Sequence, residues 1–257
     1  MDCRLRRAFP FPAAREVFLS MTDISENILF EDNHIIVVLK EQNLASCPDE
    51  SGDENMLDLL KEYVKVKYQK PGNVYIGLVH RLDRPTGGVM VFAKTSKAAG
   101  RLSEQMRTGD FDKRYLAVLV GEIEPAEGKI ENYLKKNTVN NMVYLCPQGT
   151  DGAKYACLEY RTESVQSGLS LAEIKLHTGR SHQIRVQMAG QNHPVYGDMR
   201  YGGEKAKKGK LALFAYSLTF THPVTKERMR FVAEPPVDEG PWSLFDHSAI
   251  LRRARGQ

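Results

Sequence analysis

The stretch HRLDRPTGG, residues 80–88, runs directly into VMVFAKT, residues 89–95. It begins as a polar turn with Asp83 between Arg81 and Arg84, and it continues as an apolar run typical of a buried strand. The two arginines favour the ionised form of the Asp83 carboxyl group. Because glycine has no Cβ, we expect the two glycines to let the backbone approach a ligand closely. The stretch predicts a carboxylate at the rim of a sheet, although such a turn alone is also typical of a surface salt bridge.

The segments around this stretch predict an α+β fold. Apolar periodicity and turn residues indicate strands from Ile28 around an Asp32-Asn33 turn, a helix bearing Leu57 to Val64, a helix capped by Ser96 and ended by Gly109, strands 114–123, 154–163 and 168–177, a short helix 181–189, and a hairpin of 211–221 with 229–232. Strands dominate and follow one another as hairpins, which favours a mixed, mainly antiparallel sheet with a few flanking helices.

The composition is that of an ordinary globular protein, with 257 residues, 42% hydrophobic and 26% charged. No segment has the roughly 20 consecutive apolar residues that a membrane helix needs. The net charge of +4 and the pI near 8.8 permit nucleic-acid binding but do not establish it. The sequence therefore contains no segment typical of a membrane-spanning helix, and the composition leaves the partner open.

The four cysteines, Cys3, Cys47, Cys146 and Cys157, are scattered without a Cys-x-x-Cys pair, and the histidines form no His-Glu-x-x-His helix. We therefore predict a reduced, intracellular protein without a structural metal. The arginine-rich start predicts a disordered extension over residues 1–27. A true start at Met21 and an organellar transit peptide are the alternatives, and we expect a cytoplasmic protein.

Further motifs accompany the Asp83 stretch in a fixed order. They are KRYLA at 113–117, HTGRSHQIRV at 177–186, HPVYGD at 193–198, YG at 201–202, FAYSL at 214–218 and HP at 222–223. Together with HRLDRPTGG they resemble the RluA-type pseudouridine synthases, and the resemblance runs from about Ile28 to Pro236. It implies the family's α+β fold with a central cleft, a catalytic domain over 28–240 and a C-terminal tail over 241–257. Many relatives carry an S4-type RNA-binding domain before this core, and 27 residues are too few for one.

The resemblance also implies a function, the isomerisation of specific uridines in rRNA or tRNA to pseudouridine. The family's essential aspartate matches Asp83, its active-site tyrosine matches Tyr115, and the basic partner of the aspartate matches Arg185. Arg180 lies close enough in sequence to share or replace the role of Arg185. An ionised aspartate fits this reaction because a nucleophile or base must carry its charge.

The resemblance implies further contacts with the RNA, but no cofactor and no obligate protein partner, and we expect a monomer. Arg81 matches the family residue that fills the space left by an extruded base. The predicted substrate-binding residues are His80, Arg81, Arg84, Thr86, Arg180, His182 and Gln183. The basic loop 200–210 is either an RNA contact or a solvated surface. The alternative functions are a catalytically inactive RNA-binding or RNA-folding protein on the same fold and, less favoured, a sugar hydrolase, which would need a second carboxylate.

Overall fold

The computed structural model of the protein describes residues 21–256. Residues 1–20, most of the predicted extension, lie outside the described part, as does Gln257. The helices are α1 (Met21–Glu26), α2 (Met56–Lys67), α3 (Ser96–Thr108), α4 (Gln183–Gly190) and α5 (Ser248–Arg255). The strands are β1 (Ile28–Glu31), β2 (Ile35–Lys40), β3 (Gly77–Leu78), β4 (Gly87–Ala93), β5 (Asp112–Val120), β6 (Glu127–Lys136), β7 (Val143–Cys146), β8 (Lys154–Gln166), β9 (Leu169–Leu176), β10 (Leu213–Thr221) and β11 (Arg228–Val232).

All eleven described strands form one sheet in the order β1-β2-β4-β10-β5-β9-β8-β6-β7, with β3 on β4 and β11 on β10. Neighbouring strands pair antiparallel except β4 and β10, which run parallel. This arrangement confirms the predicted α+β class and the mixed, mainly antiparallel sheet. No helix within residues 21–256 has both the length and the apolar character needed to cross a membrane.

The parallel contact between β4 and β10 explains the two glycines that follow the Asp83 turn. Gly88 has φ of +130°, and a Cβ built on it would lie 2.3 Å from the carbonyl oxygen of Ala215. A Cβ built on Gly87 would likewise lie 3.2 Å from the ring of Phe214. The missing Cβ atoms serve the close approach of two strands rather than the approach of a ligand, so our expectation for these glycines was wrong.

The sheet is covered on both faces, and alternation along β5 shows how. Tyr115, Ala117 and Leu119 belong to one apolar cluster together with residues of α1, α2 and α4. Leu116 and Val118 belong to a second cluster with residues of α3 and α5. Because side chains of a strand point alternately to its two faces, the period-two pattern of this strand assigns Tyr115 to the α4 side, and Tyr115, Ala117 and Leu119 share one face as the sequence predicted.

Several local predictions differ from the structure. Thr95 rather than Ser96 caps α3, because its side chain accepts the hydrogen bond from the backbone N–H of Ala98. Residues 21–26 of the predicted extension form α1, in which Ile24 is fully buried. The predicted tail folds onto the sheet through a 3₁₀ turn, Gly240–Leu244, and through α5, with the Trp242 side chain buried.

Strands β6 and β7 have no counterpart among the predicted elements. They form a hairpin whose loop, residues 137–142, reaches back towards the middle of the sheet, and Asn141 in that loop lines a cavity together with Asp83. Few side chains of these strands are buried, so their apolar alternation is weak.

Candidate active site

The loop that carries Asp83 lies between β3 and β4 and is held by buried hydrogen bonds. The hydroxyl group of Ser46 donates to the carbonyl of Leu82 at 2.8 Å and accepts from the Leu82 N–H at 3.1 Å. The Thr86 N–H donates to the carbonyl of Asp83 at 2.9 Å. The Asp83 side chain remains 26% exposed, so a fixed backbone presents a carboxylate that a ligand can reach.

A buried lysine, Lys40, holds the same loop through hydrogen bonds to backbone carbonyl groups. The Lys40 ammonium is fully buried and donates to the carbonyl oxygens of Glu41, Leu44 and Arg84 at 2.8, 2.6 and 3.1 Å. Burial lowers the pKa of Lys40 to about 7, and the negative charge of Asp83 opposes that shift. Lys40 therefore ties strand β2 to the residue that follows Asp83.

Arg185 in α4 is the cation beside Asp83. Its Nη1 lies 3.4 Å from Asp83 Oδ2, while its Nε and Nη2 donate to Asp198 at 2.7 and 2.8 Å. The side chain of Asp198 is fully buried and also accepts the backbone N–H groups of Arg200 and Tyr201. These carboxylates raise the pKa of Arg185 above its usual value despite its burial. Asp198 thus orients the guanidinium so that its Nη1 faces Asp83.

His182 and Tyr201 form the other wall around the carboxylate. His182 Nε2 lies 3.9 Å from Asp83 Oδ2, and its Nδ1 lies 2.6 Å from the Tyr201 hydroxyl oxygen. The Tyr201 ring lies under Arg185, with 5.1 Å between the guanidinium carbon and the ring centroid. Burial lowers the pKa of His182, so its imidazole is neutral near pH 7.

Tyr115 and Lys113 extend from β5 into the same space. Together with Asp83, His182 and Arg185 they line a cavity of about 410 Å³. Ligand pockets span about 300–1,000 Å³, so this cavity is large enough for a small organic group such as a nucleoside. Burial, assisted by the negative charge of Asp83, raises the pKa of Tyr115, and its phenol therefore stays protonated near neutral pH.

A model of the RNA pseudouridylate synthase family matches residues 34–190, which contain Asp83, Tyr115 and Arg185. The chain belongs to this family. YjbO of Bacillus subtilis strain 168, named as an uncharacterised RNA pseudouridine synthase, is 32% identical over 90% of this chain and 79% of its own length. Ribosomal large subunit pseudouridine synthase D of Vibrio cholerae is 34% identical over 84% of this chain and 69% of its own length. The RluA-type resemblance of the motifs is confirmed.

The fold agrees with this family. The solved structure of human RNA Pseudouridylate Synthase Domain Containing 4 superposes with a TM-score of 0.71, covering 84% of this chain and 91% of its own, at 23% identity. Human RNA Pseudouridylate Synthase Domain Containing 1 superposes with a TM-score of 0.67 at 21% identity, covering 90% of this chain and 95% of its own. At these identities the likeness demonstrates the pseudouridine synthase fold.

The site of this family member brings together the predicted trio of Asp83, Tyr115 and Arg185 around one cavity. Arg180 also lines this cavity, and its Nε donates to the carbonyl of Tyr155 at 2.8 Å, whereas Arg185 is the arginine whose guanidinium lies 3.4 Å from Asp83. Arg81 is exposed and lines both the main cavity and a second, adjoining one. The buried Thr86 lines the main cavity as well.

Three of the predicted substrate contacts line the two cavities and also have partners within the protein. Arg84 points to Asp49 and Asp53, with N–O distances of 3.1 and 2.6 Å, and not to Asp83. Gln183 is buried and uses both ends of its amide within the protein. His80 is buried, and its Nε2 accepts the N–H of Val91 at 3.1 Å.

The amide of Gln183 ties the loop before α4 to the sheet. Its oxygen accepts from the Thr178 hydroxyl at 2.7 Å and from the Arg180 N–H at 3.0 Å, and its nitrogen donates to the carbonyl of Cys157 at 3.1 Å. These bonds hold the buried amide in place, so Gln183 shapes the loop that presents His182.

Sequence reasoning gave no role to Lys40, Lys113, Asp198 or Tyr201. Lys113, Asp198 and Tyr201 stood inside motifs that carried the family resemblance, and this was the only signal available for them. Asp198 is an acidic residue near Asp83, and the sugar-hydrolase alternative would need a second carboxylate that faces the ligand. Asp198 is fully buried against Arg185, so it faces no ligand as the second carboxylate of a glycosidase would. His, Cys, Asp and Glu residues nowhere form a group of three or more suited to a metal ion within 21–256.

Proposed function

We propose that this protein isomerises specific uridines in RNA to pseudouridine, with the Asp83 carboxylate as the catalytic group. Membership of the family supports the reaction class. The observation that carries the assignment of residues is the shared cavity, in which Asp83, Tyr115 and Arg185 arrive from a loop, a strand and a helix. An RNA-binding protein without catalysis would need no such convergence around one exposed carboxylate.

The reaction breaks the bond between ribose C1′ and base N1 and forms a bond between C1′ and C5. The base turns between these two steps, N1 gains a proton and C5 loses one, so no electrons are exchanged with a cofactor. Asp83 acts in its ionised form, either as a nucleophile at C1′ or C6 or as the base that removes a ribose proton. Arg185 places a positive charge 3.4 Å from that carboxylate.

Tyr115 serves as a wall for the turning base. Its phenol keeps its proton near neutral pH, because burial and the charge of Asp83 raise its pKa. A protonated phenol is a hydrogen-bond donor and a stacking surface for the base. We therefore assign Tyr115 to holding the base, and its hydroxyl is our candidate for the group that takes part in the proton transfer at C5.

Arg81 is the candidate for the residue that replaces the extruded base. A uridine within folded RNA must leave its stack to reach the cavity, which costs a few kcal/mol. Arg81 is exposed at the lip shared by the main cavity and the second cavity, which Arg200 and Asn141 also line. Its position allows the guanidinium to enter the RNA while the target base enters the main cavity.

The RNA substrate is proposed to be rRNA or tRNA. Synthase D of Vibrio cholerae is named for the large ribosomal subunit, which favours rRNA. We also propose that the protein acts as a monomer in the cytoplasm without an obligate protein partner. The cationic side chains Arg81 and Arg200 beside the cavities suit a polyanionic substrate.

Release of tritium from RNA labelled at uridine C5 tests the catalytic assignment. The wild-type protein is expected to release tritium, and Asp83→Asn is expected to release none, because the amide is neither nucleophile nor base. Asp238 supplies a matched control, since Asp238→Asn removes the same charge away from the site. Wild-type protein that binds RNA but releases no tritium from any natural RNA would identify an inactive binder. Equal release by Asp83→Asn would overturn the role of Asp83.

The role of Arg81 has a separate test. We expect Arg81→Ala to lower turnover on folded RNA at least about tenfold, since the cost of extruding a base is a few kcal/mol and each 1.4 kcal/mol is about a factor of ten. Turnover on a short unstructured RNA should change much less. The exposed Arg252 of α5 provides the charge-matched control as Arg252→Ala. Unchanged turnover of Arg81→Ala on folded RNA would refute the base-extrusion role.

A further inference from the structure

A line of hydrogen-bonding groups leads from the β6–β7 hairpin to Asp83. The backbone N–H of Val143 in β7 donates to the Tyr201 hydroxyl oxygen at 3.0 Å. That oxygen lies 2.6 Å from His182 Nδ1, and His182 Nε2 faces Asp83 Oδ2 at 3.9 Å. Val143 and Tyr201 are thus connected to the Asp83 carboxylate through His182 and do not contact it directly.

The geometry favours one direction for each of these hydrogen bonds. A backbone N–H can only donate, so the Tyr201 oxygen accepts from Val143. Burial raises the pKa of Tyr201, so the phenol keeps its proton, and donation to His182 Nδ1 gives that proton an acceptor 2.6 Å away. The opposite direction, from an Nδ1–H to the phenol oxygen, fits the same distance but leaves the phenol proton without this acceptor. A neutral imidazole that accepts at Nδ1 carries its proton on Nε2, which directs its N–H group at Asp83.

The imidazole is neutral because of its surroundings. Burial lowers the pKa of His182, and the positive charges of Arg185, Arg200 and Lys136 lower it further against the opposing charge of Asp83. The gap of 3.9 Å exceeds hydrogen-bond range, so the Nε2–H is not committed to the carboxylate. It is a donor beside Asp83 that a bound nucleotide can use.

Tyr201 also contacts the second group that faces Asp83. Its ring lies 5.1 Å from the guanidinium carbon of Arg185, and it meets the His182 ring edge-on with 5.6 Å between centroids. His182 itself has φ of +51°, a left-handed conformation that a residue with a Cβ seldom adopts. Such a conformation persists only where the surroundings hold it, and the Tyr201 hydroxyl is one of those contacts.

We propose that Tyr201 is a positioning residue that fixes His182 as its Nε2–H tautomer, so that His182 offers a hydrogen-bond donor to the nucleotide bound beside Asp83. The proposal deepens the proposed function and rests on it for the identity of the substrate. Tyr201 acts through His182 and Arg185 rather than on the reacting atoms. Its effect is to set which atom of His182 carries the proton and where the Arg185 guanidinium lies.

Nitrogen-15 NMR of the histidines tests the tautomer without RNA. In wild-type protein with labelled histidine, His182 is expected as the Nε2–H form, its signals being assigned by their loss in His182→Gln. Tyr201→Phe keeps the ring but removes the hydroxyl, and it should shift His182 towards the Nδ1–H form. Tyr144 lies exposed on the β6–β7 hairpin, next to Val143, so Tyr144→Phe is the matched control and should leave the His182 signals unchanged. A wild-type Nδ1–H tautomer, or an unchanged Tyr201→Phe spectrum, would overturn the proposal.

Kinetics test whether this tautomer matters for turnover. Tyr201→Phe is expected to lower kcat about tenfold and to leave KM within about twofold, because the substrate still binds while the donor at Asp83 is misplaced. The Tyr201 hydroxyl acts through His182, and Phe keeps the ring beside Arg185, so the double variant Tyr201→Phe/His182→Ala should turn over within about twofold of His182→Ala alone. Multiplied losses in the double variant, or an unaltered kcat in Tyr201→Phe, would overturn it. Failure of the wild-type protein to act on any RNA would refute the proposed function while leaving the NMR result standing.

Discussion

Replacing Asp198 by asparagine removes the charge that holds Arg185 and keeps the volume of the side chain. The Asp198 carboxylate is fully buried and bonds the guanidinium at 2.7 and 2.8 Å, so the variant leaves a buried cation facing an amide. Loss of one partner of a buried ion pair costs about 3–5 kcal/mol. For a domain of this size, each kcal/mol lowers Tm by about 2–4 °C. Asp198→Asn is therefore expected to lower Tm by about 6–20 °C.

Urea unfolding followed by circular dichroism measures this loss as a change in the free energy of unfolding. Asp238 again serves as the control, because Asp238→Asn should change stability by no more than about 0.5 kcal/mol. Arg185→Gln combined with Asp198→Asn should lose less than the sum of the two single variants, since both ends of the pair are then uncharged. A loss below about 1 kcal/mol in Asp198→Asn would refute the view that Asp198 holds Arg185 beside Asp83.

Three further outcomes are expected. Burial lowers the pKa of His80 from 6.5 to about 3 in the folded protein. As pH falls between these values, the unfolded chain takes up a proton that the folded protein does not, so the free energy of unfolding should decline by up to about 1.4 kcal/mol per pH unit. Unfolding measured against pH should not show this decline in His80→Asn. Arg84→Ala should keep kcat within about threefold, because its partners are exposed acids, whereas Arg185→Ala should lose about 100-fold or more; equal losses in tritium-release assays would contradict this. Gly88→Ala should lose at least about 2 kcal/mol of stability, because its Cβ would lie 2.3 Å from a backbone carbonyl oxygen. Gly100→Ala in α3 should gain about 0.5–1 kcal/mol, because a Cβ there would meet open space. Urea denaturation of both variants measures these changes, and equal stabilities of the two variants would contradict the prediction.

Elements with strong apolar periodicity could be predicted from the sequence alone. Strand β5 alternates between two buried clusters, so its period-two pattern is sufficient to place Tyr115 on one face of the sheet. Strands β6 and β7 could not be predicted in this way. In β6 only Ile130 and Leu134 are buried, and such a sparse pattern resembles that of a polar loop.

The candidate site could be predicted only as far as the motifs reach. The trio of Asp83, Tyr115 and Arg185 came from the family resemblance, and the shared cavity agrees with it. Partners that depend on the tertiary fold could not be read from sequence neighbours. Arg84 stands beside Asp83 in the sequence, but its side chain contacts two other acids, Asp49 and Asp53. Asp198 is far from Asp83 in the sequence, yet it binds Arg185, the cation beside Asp83.

Mapping of pseudouridine at single-nucleotide resolution in cellular RNA tests the central claim most directly. Cells that lack this protein are predicted to lose one or more pseudouridines in rRNA or tRNA, and wild-type protein should restore them while Asp83→Asn, present at the same level, should not. An unchanged pseudouridine map in cells without the protein, or full restoration by Asp83→Asn, would contradict the account.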